Sequence, residues 1–159
     1  MFIYLANVAR LTIFPIYINC HFEENLYDNI NIVPFSRLVV RDVFMNILMA
    51  IPMGIGLPFI CRKMNNYIRM AVFGVAFGVL IEGLQFLGAV ISNNFTVRYI
   101  DINDAFFNFC GVLLGYFLLR IFAGIFVKAD RTKMINFWKY VYDICSLNSN
   151  TGVKEYDKK

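Results

Sequence analysis

Three groups of polar side chains interrupt a sequence that otherwise reads as lipid-soluble: Arg41, Asp42 and Asn46; then Glu82 and Gln85; then Arg98, Asp101, Asp104 and Asn108. Each group lies in or beside an apolar run long enough to cross a bilayer. An ionisable group at membrane depth costs about 2.5–3.5 kcal/mol on insertion scales, so by default it marks a functional site. Arg41 and Arg98 suit a phosphate or carboxylate, because guanidinium binds oxyanions through charge-assisted hydrogen bonds. Glu82, Asp101 and Asp104 suit cationic or hydroxyl groups, and Asn46, Gln85 and Asn108 orient neutral ones. Glu82 and Asp104 also suit an acid–base pair. Structural duty competes with each of these readings. Asp42 fits a helix N-terminus through cap and dipole. Gln85 and Asn108 fit hydrogen bonds between helices, which in membranes average about 0.6 kcal/mol. That is small against the cost of burying a carboxylate, so Glu82 and Asp104 are the stronger candidates for function.

The spacing of these residues brings glycine into the pattern. Gly74, Gly78 and Glu82 recur every four residues, with Gln85 three further on, so all four share one helix face. Asp104, Asn108, Gly111 and Gly115 share a face in the same way. A GxxxG step lets a second backbone approach closely. The expectation is that the two glycine faces meet in the cytoplasmic half and bring the carboxylates together in the outer half. The resulting cavity would open to the outer leaflet and close toward the cytoplasm, with Arg98 at its rim. Arg10 either pairs with Glu82 at equal depth or snorkels to the surface. No Ser–His, Cys–His or metal-ligand grouping accompanies these residues: His21 stands alone, and the four cysteines fall in different regions. No cofactor, metal or disulfide is expected.

The elements that must position these residues follow from composition. Of 159 residues, 59% are hydrophobic and 16% charged, where a soluble domain has about 45–50% apolar residues. The net charge of +4 comes from basic residues at segment ends, which excludes a nucleic-acid patch and reads as a topology signal. The expected fold is all-α: an integral membrane bundle of four transmembrane helices with a cytoplasmic amphipathic C-terminal helix. The spans run Phe2 to Ile18, Asp42 to Ile60, Tyr67 to Ile91 and Ile102 to Val127. Residues 1–128 form the transmembrane domain and 129–159 a cytoplasmic helix with a disordered tail. That helix is expected over Thr132 to Leu147, with Met134, Phe137, Trp138, Val141 and Cys145 at helical spacing. It either lies along the inner membrane surface or stays solvated. Arg62, Lys63 and Arg69 in one connection, and Lys128, Arg131, Lys133 and Lys139 after the last span, place both regions inside. Four spans then leave both termini cytoplasmic.

Taken together, these residues resemble the VanZ family of small membrane proteins. The resemblance runs through Asn31-Ile32-Val33-Pro34-Phe35, Asn46-Ile47-Leu48 with Pro52-Met53-Gly54, Glu82-Gly83-Leu84-Gln85, then Arg98, Asp101, Asp104 and Asn108, and closes on Gly111 and Gly115. It covers roughly Asn29 to Arg120. Met53 stands where leucine is usual, and Phe109 where threonine is common. The resemblance implies a multi-pass protein of the bacterial cell membrane, tied to resistance to teicoplanin-type glycopeptides or other envelope antibiotics. Its expected partner is a membrane lipid or lipid-linked cell-wall precursor, or the lipoglycopeptide itself. Arg41, Asn46, Glu82, Gln85, Arg98, Asp101, Asp104 and Asn108 are the expected ligand-binding residues. The alternatives are an intramembrane enzyme acting on a lipid-linked precursor and a scaffold that binds another membrane protein.

Overall fold

Long apolar segments can enter lipid only with every backbone group bonded internally, which leaves them the choice of helix or closed barrel. The sequence takes the helical solution. A computed structural model of the chain describes residues 2–13, 30–36, 38–92, 100–128 and 134–146. The elements are α1 (Phe2–Ile13), β1 (Ile30–Asn31), α2 (Val40–Ile60), α3 (Tyr67–Ile91), β2 (Ile100–Asp101), α4 (Ile102–Phe126) and α5 (Asn136–Ser146), with a 3-10 turn at Arg62–Met64. Three of these helices, α2, α3 and α4, are long and apolar enough to cross a membrane. The protein is therefore a multi-pass membrane protein with three candidate spans. The described part of α1 has 12 residues, about 18 Å of helix against an apolar core of about 30 Å. The remainder of the expected first span, residues 14–18, lies outside the described residues.

The glycines set the packing, but not as the spacing alone implies. Gly74 lies against Phe109 and Val112, and Gly78 against the backbone of Ala105. Gly111 and Gly115 lie instead against Ile47, Ala50 and Ile51 of α2, while Gly54 of α2 lies against Val112 and Tyr116. The two expected glycine faces thus do not meet each other. The face of α3 packs on α4, and the face of α4 packs on α2, so α4 is the central helix. Contact numbers rise together along α2 and α4 (Ile47 with Gly111, Ile51 with Gly115) and in opposite senses along α3 and α4, so α2 and α4 run parallel and α3 antiparallel. The core between them holds Ala50, Met53, Met70, Phe77, Ile81, Val112, Tyr116 and Leu119.

α1 joins through Val8, which is buried, and through the Tyr4 hydroxyl, which donates to the Met49 carbonyl at 2.7 Å. Arg10 is exposed, and no ion pair joins it to Glu82 among the described residues, contrary to the pairing considered above. At the far end of the bundle, the Asn65 amide donates to Ile144 O at 2.8 Å and its Oδ1 accepts the Tyr116 hydroxyl at 2.9 Å. The Tyr140 hydroxyl donates to Phe59 O. These bonds dock α5 with Val141, Ile144 and Cys145 buried, while Phe137 and Trp138 of the expected apolar stripe stay exposed. α5 thereby packs across the Asn65 end.

Candidate functional site

The opposite end is organised by Asp101. It caps α4, its Oδ1 accepting the Asn103 N–H at 2.8 Å. Its Oδ2 accepts from the Asn31 amide at 2.9 Å, and its own N–H donates to Glu82 Oε2 at 3.1 Å. A parallel two-residue ladder pairs Ile30 with Ile100 and Asn31 with Asp101. One residue therefore starts α4 and ties it to the strand before α2 through its carboxylate and to α3 through its N–H. Beyond the ladder the chain turns over Asn31 to Ser36. The Asn31 carboxamide accepts from Val33 N–H at 3.2 Å and from the Ser36 hydroxyl at 2.8 Å. Asn103 Oδ1 accepts the Phe35 N–H at 2.7 Å, and its amide donates to Ser36 O at 3.2 Å.

The expected ligand-binding residues are distributed around this frame. Arg41 is exposed in the first turn of α2, and no hydrogen bond ties it to the others among the described residues. Asp42, exposed beside it, stands in the first helical turn, where a carboxylate complements the dipole. Asp104 is half-buried in the first turn of α4. Glu82 is buried and bonded to the α4 cap. Arg98 lies outside the described residues. Asn46 is half-buried and lies within about 40° of Ala50 and Met53 on α2, both core residues.

Asn108 is the most unusual of the set. It is fully buried, and among the described residues neither its Oδ1 nor its Nδ2 has a hydrogen-bond partner. Helix geometry gives its direction. Around α4, Gly115 and Gly111, which meet α2, lie about 20° and 60° to one side of Asn108, while Ala105 and Phe109, which meet α3, lie about 60° and 100° to the other. Asn108 therefore points into the seam shared by α2, α3 and α4. Gln85 stands within about 20° of Gly78, on the α4-facing side of α3. Its Oε1 is likewise buried without a partner.

The glycine contacts also fix relative levels. Gly78 is level with Ala105, and Gly111 with Ile47. At about 1.5 Å per residue, Glu82 and Gln85 stand about 6 and 10 Å from that first level toward the Asp101 end. Asn108 stands about 4 Å to the other side, and Asn46 about 3 Å deeper again. The polar residues form a column of roughly 18 Å along the bundle axis, with Asn46 and Asn108 in the seam and Glu82 and Gln85 beyond it, beside the Asp101 frame. An amide in this setting needs both a donor and an acceptor from whatever occupies the column.

Three residues that build the frame are not among the expected site residues: Asn31, Ser36 and Asn103. Asn31 stands in the motif quoted above, and Asn103 follows the cap Asp101 in the run Asp101-Ile102-Asn103-Asp104, so polar density at a helix start was the available signal. Among the described residues no group of three or more His, Cys, Asp or Glu could hold a metal ion. A family model described as VanZ/LLP1 matches residues 1–123. No curated protein and no solved structure matches the chain.

Proposed function

The chain belongs to the VanZ/LLP1 family, a family linked to glycopeptide resistance, and on that premise we propose that it binds the polar head of an envelope lipid along the α2–α3–α4 seam. The ligand is a membrane lipid or a lipid-linked cell-wall precursor, with a teicoplanin-type lipoglycopeptide as the drug that shares this chemistry. The unpartnered, fully buried carboxamide of Asn108 carries the reading. A buried amide left without partners costs about 1–3 kcal/mol, and lipid offers no bulk water to satisfy it. A ligand that reaches Asn108 and Gln85 supplies what the fold withholds. Asn46 and Asn108 then meet its deepest polar atoms, Glu82, Asp101 and Asp104 its donors, and Arg41 and Arg98 its phosphate or carboxylate. Glu82 Oε2 is held by a backbone N–H of the α4 cap. That fixes the carboxylate in place, which suits binding better than intramembrane acid–base chemistry.

The test is lipid retention. Protein extracted from its own membrane in mild detergent should carry an envelope lipid visible by native mass spectrometry. Gln85→Leu removes one acceptor worth about 1 kcal/mol and should lower occupancy several-fold to about tenfold. Equal occupancy in the variant would remove Gln85 from the site.

The same reading places the Asp101 end outside. Arg62, Lys63 and Arg69 lie at the Asn65 end with Lys128, a basic set that belongs in the cytoplasm. We propose four crossings, the first completed beyond Ile13, and both termini inside. Cys145 is a poor reporter, because it is buried in α5 and burial pushes its thiol up, partly offset by Arg120. Ile91 and Lys63 are exposed at opposite ends of the bundle. With the native cysteines replaced, Ile91→Cys should react with an impermeant maleimide on intact cells, and Lys63→Cys only after lysis. The reverse pattern would invert the topology.

A further inference from the structure

We infer that the Asn31–Ser36 turn is a lipid-insertion element, entering the acyl layer of the leaflet at the Asp101 end. Its side chains and its backbone face the wrong ways for a turn in water. Ile32, Val33 and Phe35 are 74, 59 and 62% exposed. The N–H groups of Val33, Phe35 and Ser36 and the carbonyls of Val33 and Ser36 are met by protein groups. Val33 N–H goes to Asn31 and Phe35 N–H to Asn103. Ser36 O accepts from both carboxamides, and Ser36 N–H and hydroxyl return to Val33 O. Pro34, between them, has no N–H to satisfy. A surface turn ordinarily leaves such groups to water and shows polar side chains outward. Irregular backbone at membrane depth is tolerated where protein meets its polar groups, as it meets these. Phe35 sits at φ 59°, a left-handed conformation that a bulky aromatic rarely adopts. The bonds to Asn103 hold it there and keep the ring outward.

Depth supports the same conclusion. The Phe35 ring meets Phe106 edge-on, with centroids 5.7 Å apart. Phe106 lies about 6 Å along α4 from Ile102. α4 has 25 residues, about 37 Å, against an apolar layer of about 30 Å. Shared between its ends, that excess leaves Phe106 within the hydrocarbon boundary. The turn also continues the exposed apolar surface of Val40 and Phe44 on α2 and of Ile102 and Phe106 on α4. Its partner is therefore the acyl chains of the surrounding leaflet, a contact independent of any ligand in the seam.

Tryptophan depth measurement tests this. In a Trp138→Phe background, Ile32→Trp and Val33→Trp are made separately, and the whole chain is reconstituted in phosphatidylethanolamine–phosphatidylglycerol vesicles. Both positions are open enough to accept the ring. Blue-shifted emission is expected, with loss of most intensity when the lipids carry bromine near the upper acyl chain. Iodide on both sides of the membrane should have little effect. Quenching by iodide and not by bromolipid would overturn the inference by placing the turn in water. Protection from both quenchers would also overturn it, by placing the turn against protein, a second copy included. Neither result bears on lipid retention in the seam, so the two proposals fail separately.

Discussion

Gly115→Val is expected to abolish the folded bundle, the largest loss of any single substitution considered. A Cβ at Gly115 would overlap the Ile51 carbonyl and stand 2.9 Å from its carbon, and one at Gly54 would stand 2.8 Å from the Tyr116 nitrogen. These two glycines face each other's helices, so α2 and α4 touch through backbone on both sides. Overpacking a core costs about 1–3 kcal/mol where side chains can give way. Here the obstruction is helix backbone, and relief requires α2 and α4 to separate along the whole contact. Because α4 also carries α3 and the cap at Asp101, separation undoes both seams, in a protein whose total stability is on the order of 5–15 kcal/mol. The measurement is recovery of monodisperse protein in detergent together with thermal unfolding. Gly83→Ala is the control: a Cβ there meets nothing within 4 Å, and relief of glycine's helix penalty is worth up to about 1 kcal/mol. A Gly115→Val protein that melts like the parent would show that α2 and α4 are not in direct backbone contact.

This packing marks how far the sequence could be read. Four-residue glycine spacing identifies a flat face, since flatness depends only on the residues that compose it. It does not identify the partner, which depends on how helices are arranged in three dimensions. α4 has two packing faces, one made of Gly111 and Gly115 and one of Ala105 and Phe109; the second carries no glycine signal. The expectation that the glycines of α3 and α4 meet failed for that reason. The polar residues were legible as intruders in an apolar chain, and Glu82 does lie buried beside the α4 cap. The frame around them was not. Asn31, Ser36 and Asn103 act across separations of 67 to 70 residues, while polar residues near helix starts look locally like ordinary caps. Asp101 shows both sides of the problem. It is a cap by position, and the same carboxylate also reaches Asn31 through a ladder too short to announce itself as strand.

The second large effect concerns Asn108, and its sign separates a binding residue from a structural one. If the carboxamide served to join helices, its replacement by leucine would cost stability. Among the described residues no partner bonds either amide atom, and the side chain is fully buried in the seam. Leucine has the same branching and number of side-chain heavy atoms, with bulkier methyl groups that the column must admit; it removes two unsatisfied polar atoms and adds apolar contact with α2 and α3. Replacing an unsatisfied buried polar group in this way is expected to stabilise by about 1–3 kcal/mol, seen as a higher melting temperature of the lipid-free protein. The same substitution strips the column of its deepest donor and acceptor on α4. Lipid retention should therefore fall at least about tenfold, and any glycopeptide resistance the chain confers should be lost with it. A more stable, empty protein is the outcome that assigns Asn108 to the ligand. A destabilised one would mean that the amide bonds within the fold. A stable variant with full retention would move the site away from the seam altogether. Asn108→Gln keeps the donor and acceptor but lengthens the arm. It should bind weakly and melt below the leucine variant, because it restores the polar atoms without restoring their position.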